Sequence, residues 1–549
     1  MHPLLTYLFL ALLPLMGSHT GDERTSANKL RKVIYTENKT DLLPAVQELA
    51  GWNNAKAMKS LLLIAAKRPP KLDPSYWMEA YSLVLRGGAG MTDPGALAEG
   101  AKIIIRNKSN PMSRDFLAML SNQGNPAMVL PMIQILKEGP DDMRVVAAEH
   151  LGTIGDKRAI GALVEALEDR KASSLLRRRV SSALAGITGA DYGDSASQWR
   201  GWWDQNSGKD LKGPGASSHD GGSTVSLDRG RDSEWDELRR EARVLILGAG
   251  DGCLCKKNHD LDNIKNTCDK LGLSADFVTK TTFEKETDPS KYIAILANCT
   301  MIREHCACPE CKPGAYSKDR LFTCVCPINK HDPTSYVLGD KGVKKIKRYV
   351  EKGGYLFAED WCMEDFVEKA FGRYIRHGSI RPKDEEIPVV AAPGAMIHPF
   401  LKKIFFKGFK PQEASSGTSV MTESELKDVV HTWKIDKETR TIKIVDPKRV
   451  VTILSSPHLE KYAQGDDAVA VTFAVGGKDG KRPGVASGGR IQQDSEKMTG
   501  GRVLYVLSHF GKQKSTEDEY SLQNLLINFL IEAYERHSQL EKAPKKKRR

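Results

Sequence analysis

All ten cysteines of this 549-residue sequence fall between positions 253 and 362. Cys253-x-Cys255, Cys306-x-Cys308-x-x-Cys311 and Cys324-x-Cys326 are close-spaced sets, while Cys268, Cys299 and Cys362 stand singly. Two chemistries use thiols at such spacings. Zinc takes four tetrahedral sulfur or nitrogen ligands, which Cys-x-x-Cys and Cys-x-Cys together can supply. Disulfides can instead cross-link a loop that has little core of its own, and the two cysteines of Cys-x-Cys are poorly placed to bond to each other. Both readings stay open for Cys253, Cys255, Cys306, Cys308, Cys311, Cys324 and Cys326, with structural zinc as the cofactor considered. Cys308-Pro-Glu-Cys311-Lys312 has the form of a haem-attachment variant, but a single copy with proline inside and lysine in place of histidine argues against haem.

Alternating strands and helices must position these groups. Val244-Leu245-Ile246-Leu247 is a continuous apolar run ending in Gly248-Ala249-Gly250-Asp251-Gly252, the signature of a buried strand and a glycine turn. Further strands are read at Ala275–Val278, Tyr292–Leu296, Tyr355–Ala358, Val450–Leu454, Val469–Ala474 and Val503–Leu507, with helices at Leu261–Leu271, Gly342–Glu351 and Leu522–Tyr534. This alternation predicts a doubly wound, parallel α/β sheet of flavodoxin-like type. The loops carrying every cysteine except Cys268 then leave its carboxyl edge, where open α/β sheets bind ligands. His259, His305, His331, Asp360 and His509 fall near the same edge. The glycine turn has Gly-x-Gly-x-Gly spacing and no acid ends the next strand at Phe277-Val278, which argues against a dinucleotide.

The order of Val244–Leu247, Tyr292–Leu296, a helix into Gly353-Gly354-Tyr355-Leu356-Phe357-Ala358-Glu359-Asp360, and Gly501-Arg502-Val503-Leu504-Tyr505-Val506-Leu507-Ser508-His509 resembles the class I glutamine-amidotransferase-like fold. More narrowly it resembles the bacterial domain of unknown function 4159, over about Arg243 to His537. Catalytic members of the wider fold place a cysteine in the tight turn after the strand that follows Gly-Gly. That place is taken here by Asp360, with Cys362 two residues later, and the family's histidine corresponds to His509. The resemblance therefore implies Asp360 with His509, or Cys362 with His509 if the turn is shifted, as the candidate catalytic pair. A thiolate needs a nearby base or positive charge, and Asp360 beside Glu359 reads equally as a helix cap or an edge carboxylate.

From Asn28 to Trp203 apolar residues recur at three-to-four spacing. Met143, Val146, Ala147, His150 and Leu151 form one stripe, Gly152, Gly155 and Asp156 break it, and Ala159, Ile160, Leu163, Val164 and Leu167 form the next. Short helices paired through a Gly-Asp turn are the pattern of an α-solenoid, and Arg144–Gly152 with Ala159–Leu167 resembles HEAT repeats. Trp199, Trp202 and Trp203 are expected to cap the last apolar face, His150 to be a satisfied core histidine, and Arg177-Arg178-Arg179 to be a solvated helix face. Such an array implies a protein partner, or else a spacer packed on its own neighbour.

The chain is 40% apolar, 28% charged and 7% aromatic, a globular composition that excludes collagen, wholesale disorder and multi-span membrane proteins. Of the net +12, +5 sits in Glu541–Arg549, and the rest is too diffuse for a nucleic-acid-binding body. Lys545–Arg549 is expected to be a solvated tail that touches anionic envelope polymers or lipid heads. Leu4–Met16 is apolar but too short to span a bilayer, and small then polar residues follow it, as in a secretory signal peptide. The expected organisation is a signal peptide over 1–20, a HEAT-like domain over 28–205, a Gly/Ser/Asp-rich linker over 206–232, an α/β domain over 233–538 with a Cys-rich insertion at 299–335, and a basic tail over 539–549. It describes an exported, periplasmic or extracellular scaffold or binding protein with no transmembrane span in the mature chain and a non-catalytic α/β domain. The alternative is a hydrolase or amidotransferase-type enzyme.

Overall fold

The structure is a computed structural model that describes residues 22–121, 126–207, 233–249, 264–300, 337–380, 384–402, 404–405, 430–437, 439–462, 466–476, 500–510, 512–513 and 516–542. The expected signal peptide, almost all of the linker, most of the Cys-rich insertion and the end of the basic tail lie outside these residues. So do Cys253, Cys255, Cys306, Cys308, Cys311, Cys324, Cys326, His259, His305 and His331.

The N-terminal half is helical: α1 (Glu23–Tyr35), α2 (Lys39–Gly51), α3 (Ala55–Ala65), α4 (Pro74–Ala89), α5 (Pro94–Arg106), α6 (Pro111–Ser121), α7 (Val129–Glu138), α8 (Asp141–Ile154), α9 (Ile160–Glu168), α10 (Ser174–Thr188) and α11 (Ala196–Asn206). Local chemistry sets their ends. Asp22, Asn38, Asn54, Asp73, Asp93 and Ser173 each accept a hydrogen bond from a first-turn N–H, which satisfies donors that the helix itself cannot. Pro74 and Pro94 open their helices at the position where a missing N–H is harmless. Gly155 (φ 73°) and Gly189 (φ 74°) close α8 and α10 in the left-handed conformation that glycine tolerates.

The odd-numbered helices pack side by side in one row, and α2, α4, α6, α8 and α10 form a second. Each pair buries the stripe predicted from spacing, with Met143, Ala147, Leu151, Ile160, Leu163, Val164 and Leu167 all in the core. A Cβ on Gly152 would lie 2.9 Å from Ala183 Cα, so glycine is what lets α8 and α10 approach. His150 Nδ1 donates to the Ser121 carbonyl at 2.7 Å and burial lowers its pKa, but Nε2 is buried with no hydrogen-bond partner among the described residues, so this core histidine is satisfied at one ring nitrogen only. Trp199 is buried, bonds the Gly193 carbonyl at 2.8 Å and meets Tyr192 edge-on, while α11 closes the odd row against α9. The arginine run is not a solvated face. Arg177 caps carbonyls of Leu167 and Asp169, Arg178 reaches Glu535 at 2.9 Å, and Arg179 reaches Glu149 at 2.9 Å.

The second half contains α12 (Ser233–Glu241), β1 (Arg243–Gly248), α13 (Ile264–Lys270), β2 (Ser274–Thr279), α14 (Lys280–Lys285), β3 (Ala294–Ala297), α15 (Asp340–Glu351), β4 (Tyr355–Glu359), α16 (Glu368–Phe371), β5 (Ile375–Ile380), β6 (Glu385–Ala391), β7 (His431–Ile435), β8 (Arg440–Ile444), β9 (Val450–Ser455), β10 (Ala468–Val475), β11 (Gly501–Val506) and α17 (Thr516–Lys542). Nine strands make one sheet in the order β2-β1-β3-β4-β11-β10-β9-β6-β7. The first five run parallel, and from β11 onward every neighbour is antiparallel. The expectation of a parallel sheet therefore holds for one half of it. β5 and β8 pair separately.

The two halves are docked through the even row. Asp115 on α6 accepts hydrogen bonds from the Gly394 N–H (2.9 Å) and the Met396 N–H (3.3 Å), both just beyond β6, and from the Tyr81 hydroxyl within the array (2.8 Å). Gly394 has φ 81°, and a Cβ there would lie 3.2 Å from Pro111 Cα. Met396 and Ile397 pack on the helical core, and Glu535 on α17 faces Arg178 on α10.

Candidate functional site

In the sheet, β4 lies between β3 and β11, with Ala358 opposite Ala297 and Glu359 opposite Val506. Chain segments leaving the carboxyl ends of these three strands therefore emerge side by side. Cys299 follows β3 by two residues, Asp360 follows β4 directly, and His509 follows β11 by three. All three side chains are buried.

Asp360 occupies a sharp turn with φ 33°, a left-handed conformation that costs a non-glycine residue about 1 kcal/mol. Its backbone is fixed from both sides: its N–H donates to the Val506 carbonyl at 2.9 Å and its carbonyl accepts the Tyr505 hydroxyl at 2.6 Å. The turn aims the carboxylate across the edge. Oδ2 lies 3.1 Å from His509 Nε2 and 4.0 Å from Cys299 Sγ, and Oδ1 is buried with no hydrogen-bond partner among the described residues. One ligand atom from each of Cys299, Asp360 and His509 falls within 4.8 Å of the other two.

Two further carboxylates face the imidazole. Glu359 Oε2 is 4.0 Å from Nδ1, and Asp436 Oδ2 is 3.7 Å from Nε2. Burial pushes the Asp436 carboxyl up, but its bond to Lys512 and the nearby His509 outweigh this and leave it below the ordinary value. Burial, then the charge of Asp360, holds the Tyr505 phenol far above its usual range, so it stays a neutral donor to the turn.

Cys362 is near but differently engaged. Its Sγ points to the carbonyls of Asn298 at 3.3 Å and Ala297 at 3.7 Å, tying the turn after β4 to the end of β3. A buried ion pair supports the same corner. Lys280 pairs with Asp365 and donates to Thr300 Oγ1, while Asp365 Oδ1 accepts the Leu338 N–H at 2.7 Å. Cys268 sits in the core on α13, its thiol pushed up to about 12 by burial, which makes it inert.

The structure thus brings Asp360 and His509 together, as the sequence reading paired them, and adds Cys299 to them in place of Cys362. Sequence placed Cys299 at this edge without distinguishing it from the other cysteines. The missing signal was strand order, because adjacency of β3 and β4 selects it. The arrangement differs from a nucleophile–base–carboxylate triad, in which the imidazole stands between nucleophile and carboxylate. Here the carboxylate stands between thiol and imidazole. Sulfur, nitrogen and oxygen donors converging on one point are instead a ligand set for a borderline-soft cation.

A model of the PBS lyase HEAT-like repeat matches residues 143–169, which run from α8 through α9. The N-terminal half therefore contains a HEAT-like repeat region. No curated protein matches the chain. Among solved structures, the exo-beta-1,4-mannosidase Op5Man5 from Opitutaceae bacterium strain TAV5 is similar at 8% identity over 90% of this chain and 87% of that one, with a TM-score of 0.25. A score that low carries no argument about fold or activity. No helix among the described residues is long and apolar enough to cross a membrane.

Proposed function

We propose that the protein is an exported interaction scaffold, in which a HEAT-like array binds a protein partner and holds a non-nucleophilic, amidotransferase-like α/β domain in fixed orientation. The observation that carries this reading is the division of labour between the two helical rows. The even row is engaged by the chain's own α/β domain through Asp115 and Arg178. Among the described residues the odd row makes no ion pair or hydrogen bond to that domain, and it displays Tyr35, Leu63 and Leu130 at 62%, 52% and 62% exposure, large apolar side chains of the kind that partner surfaces bury. The β2-β1-β3-β4-β11 order supports the amidotransferase-like assignment, being the strand order of one doubly wound class. An aspartate at the turn after β4 and a Cys362 thiol directed at backbone carbonyls support a binding rather than a nucleophilic role. Export rests on the Leu4–Met16 run, and contact of the basic tail with anionic envelope polymers on Lys545–Arg549.

The test places a photo-crosslinking residue at the exposed Lys59, one turn before Leu63 on α3, in the native cell. Capture of a protein partner that a Leu63→Asp/Leu130→Asp variant no longer binds, with its melting unchanged, is the expected outcome. Equal capture by parent and variant, or capture only from the even row, refutes the assignment of the binding face.

A further inference from the structure

We propose that Cys299, Asp360 and His509 bind a divalent transition-metal ion, zinc in the first instance, at the carboxyl edge of the sheet. The inference does not rest on the scaffold reading, since it concerns metal and not partner.

The geometry is near what the ion requires. With bonds of about 2.0–2.3 Å to oxygen, nitrogen and sulfur, tetrahedral zinc holds its ligand atoms roughly 3.3–3.8 Å apart. The observed separations are 3.1 Å for Asp360–His509 and 4.0 Å for Cys299–Asp360, with every pair within 4.8 Å. Small side-chain rotations bring all three onto one centre. The donor set also selects the ion. A thiolate and an imidazole beside one carboxylate suit zinc or cobalt and not magnesium or calcium, which take oxygen.

Three observations point at a cation independently of the spacing. The first is Asp360 Oδ1, a buried carboxylate oxygen without a hydrogen-bond partner among the described residues, which leaves the buried carboxylate poorly compensated, a cost that a cation held at Oδ2 reduces. The second is charge. The buried carboxylates of Glu359 and Asp360 both approach the His509 imidazole, a setting that favours a bound cation, while the third acid there, Asp436, is paired with Lys512. Glu359, close to Nδ1, stands where metal-binding histidines commonly direct their other ring nitrogen. The third is strain at Asp360, whose left-handed backbone is what delivers the carboxylate between Cys299 and His509. Strained residues of this kind collect at functional sites. Three protein ligands on three adjacent strand ends leave a fourth tetrahedral position for water or an anionic group.

The experiment uses the full-length protein, stripped by chelation under reducing conditions and titrated with zinc or cobalt. Bound metal is counted by elemental analysis. Any metal held by the Cys-rich sets is common to parent and variants and cancels. Cys299→Ser, Asp360→Asn and His509→Gln are each expected to weaken one equivalent of metal by at least about 100-fold, and Cys299→Ser to remove part of the thiolate-to-cobalt charge-transfer absorption. Unchanged stoichiometry and affinity in all three folded variants overturn the proposal. Anomalous scattering from the unaltered protein crystallised with zinc gives a second readout that needs no variant. A peak bonded to Cys299, Asp360 and His509 supports the site, and a map without zinc there refutes it.

Discussion

Asp115 joins the helical array to the α/β domain, and replacing it by asparagine tests whether that seam is built as described. The carboxylate is fully buried and accepts the N–H groups of Gly394 and Met396 and the hydroxyl of Tyr81. Burial raises its pKa from 3.8 to about 6, against the lowering effect of those bonds and of Arg114. An acid whose native pKa is raised binds its proton more tightly when folded. Its stabilising contribution is complete below the unfolded value of 3.8 and is lost as pH rises through 6. A rise from 3.8 to about 6 is worth about 3 kcal/mol in total, of which about 2 kcal/mol separates pH 4.5 from pH 7. The group is fully buried, so solvent screening does not reduce this.

Asp115→Asn removes the titration and leaves a side chain of the same shape. The parent should therefore gain about 2 kcal/mol relative to the variant on going from pH 7 to pH 4.5. A chain of two docked halves need not unfold in one step, so the reporter should be local. Amide exchange at Gly394 and Met396, corrected for intrinsic rates, measures opening of the seam itself. In the parent its free energy should rise toward acid, and in the variant that rise should be absent. Asparagine also presents one acceptor where two amide donors converge, so opening at pH 7 should become easier by about 1–3 kcal/mol. Parallel pH profiles in parent and variant would refute the reasoning, because they would mean that the carboxylate is hydrated rather than sealed between α6 and the Gly394 turn.

Asp360→Gly removes the left-handed strain along with the carboxylate; with both proteins metal-free it should be as stable as the parent or more so, by up to about 1 kcal/mol, and it should lose the metal equivalent, whereas a large drop in melting temperature relative to the metal-free parent would mark Asp360 as structural. Cys362→Ala should cost about 1 kcal/mol in urea titration through loss of the thiol contacts to Asn298 and Ala297, and an electrophilic glutamine analogue should leave Cys362 unlabelled in the native protein; stoichiometric labelling would restore the nucleophile reading. Lys280→Met strands the Asp365 charge in the core and should cost about 3–5 kcal/mol, with Asp365→Asn in the same chain recovering most of it; an additive double variant would show that the two side chains do not interact.

The helical half was legible because its signals are local. A capping residue, an apolar stripe and a glycine stop lie within one helix length of each other, as Ser173, the stripe from Leu176 to Ile187 and Gly189 do in α10. The parallel strands were legible for a related reason: β1, β3 and β4 are buried on both faces, so each is a short uninterrupted apolar run. β5 to β8 escaped this test. β7 buries His431, Trp433 and Ile435 and turns Thr432 and Lys434 outward, an alternation of period two that His431 and Lys434 disguise as a polar loop. β6 contains Pro388, which ordinarily argues against an inner strand. The structure tolerates it because β9 pairs with β6 only at Val390 and Ala391, so no neighbour on that side asks for the missing N–H. The arginine run was misread because its partners are remote: Arg178 meets Glu535 from the far end of the chain, and charge balance within a local window has no access to such a pairing.

The site fails to be legible at one particular step. Sequence places Cys299, Asp360, Cys362 and His509 at one sheet edge, because each follows a predicted parallel strand. Which of them touch depends on the order of strands across the sheet, and sequence neighbours offer little guidance: β4 is flanked by β3 and by β11, which begins 142 residues after β4 ends. Given that order, Cys299 and His509 must stand on either side of Asp360. Cys362, although only two residues from Asp360, is carried by the turn toward the carbonyls at the end of β3. The conformation at residue 360 then gives the choice of side chain its meaning. A turn with φ 33° is met most cheaply by glycine, so an aspartate there adopts the turn against its backbone preference. Its carboxylate makes no capping bond to the turn; one oxygen faces His509 and Cys299, and the other has no hydrogen-bond partner among the described residues. Backbone strain and an unsatisfied buried oxygen in one residue oppose folding together, and a cation bound between the three strand ends offsets both.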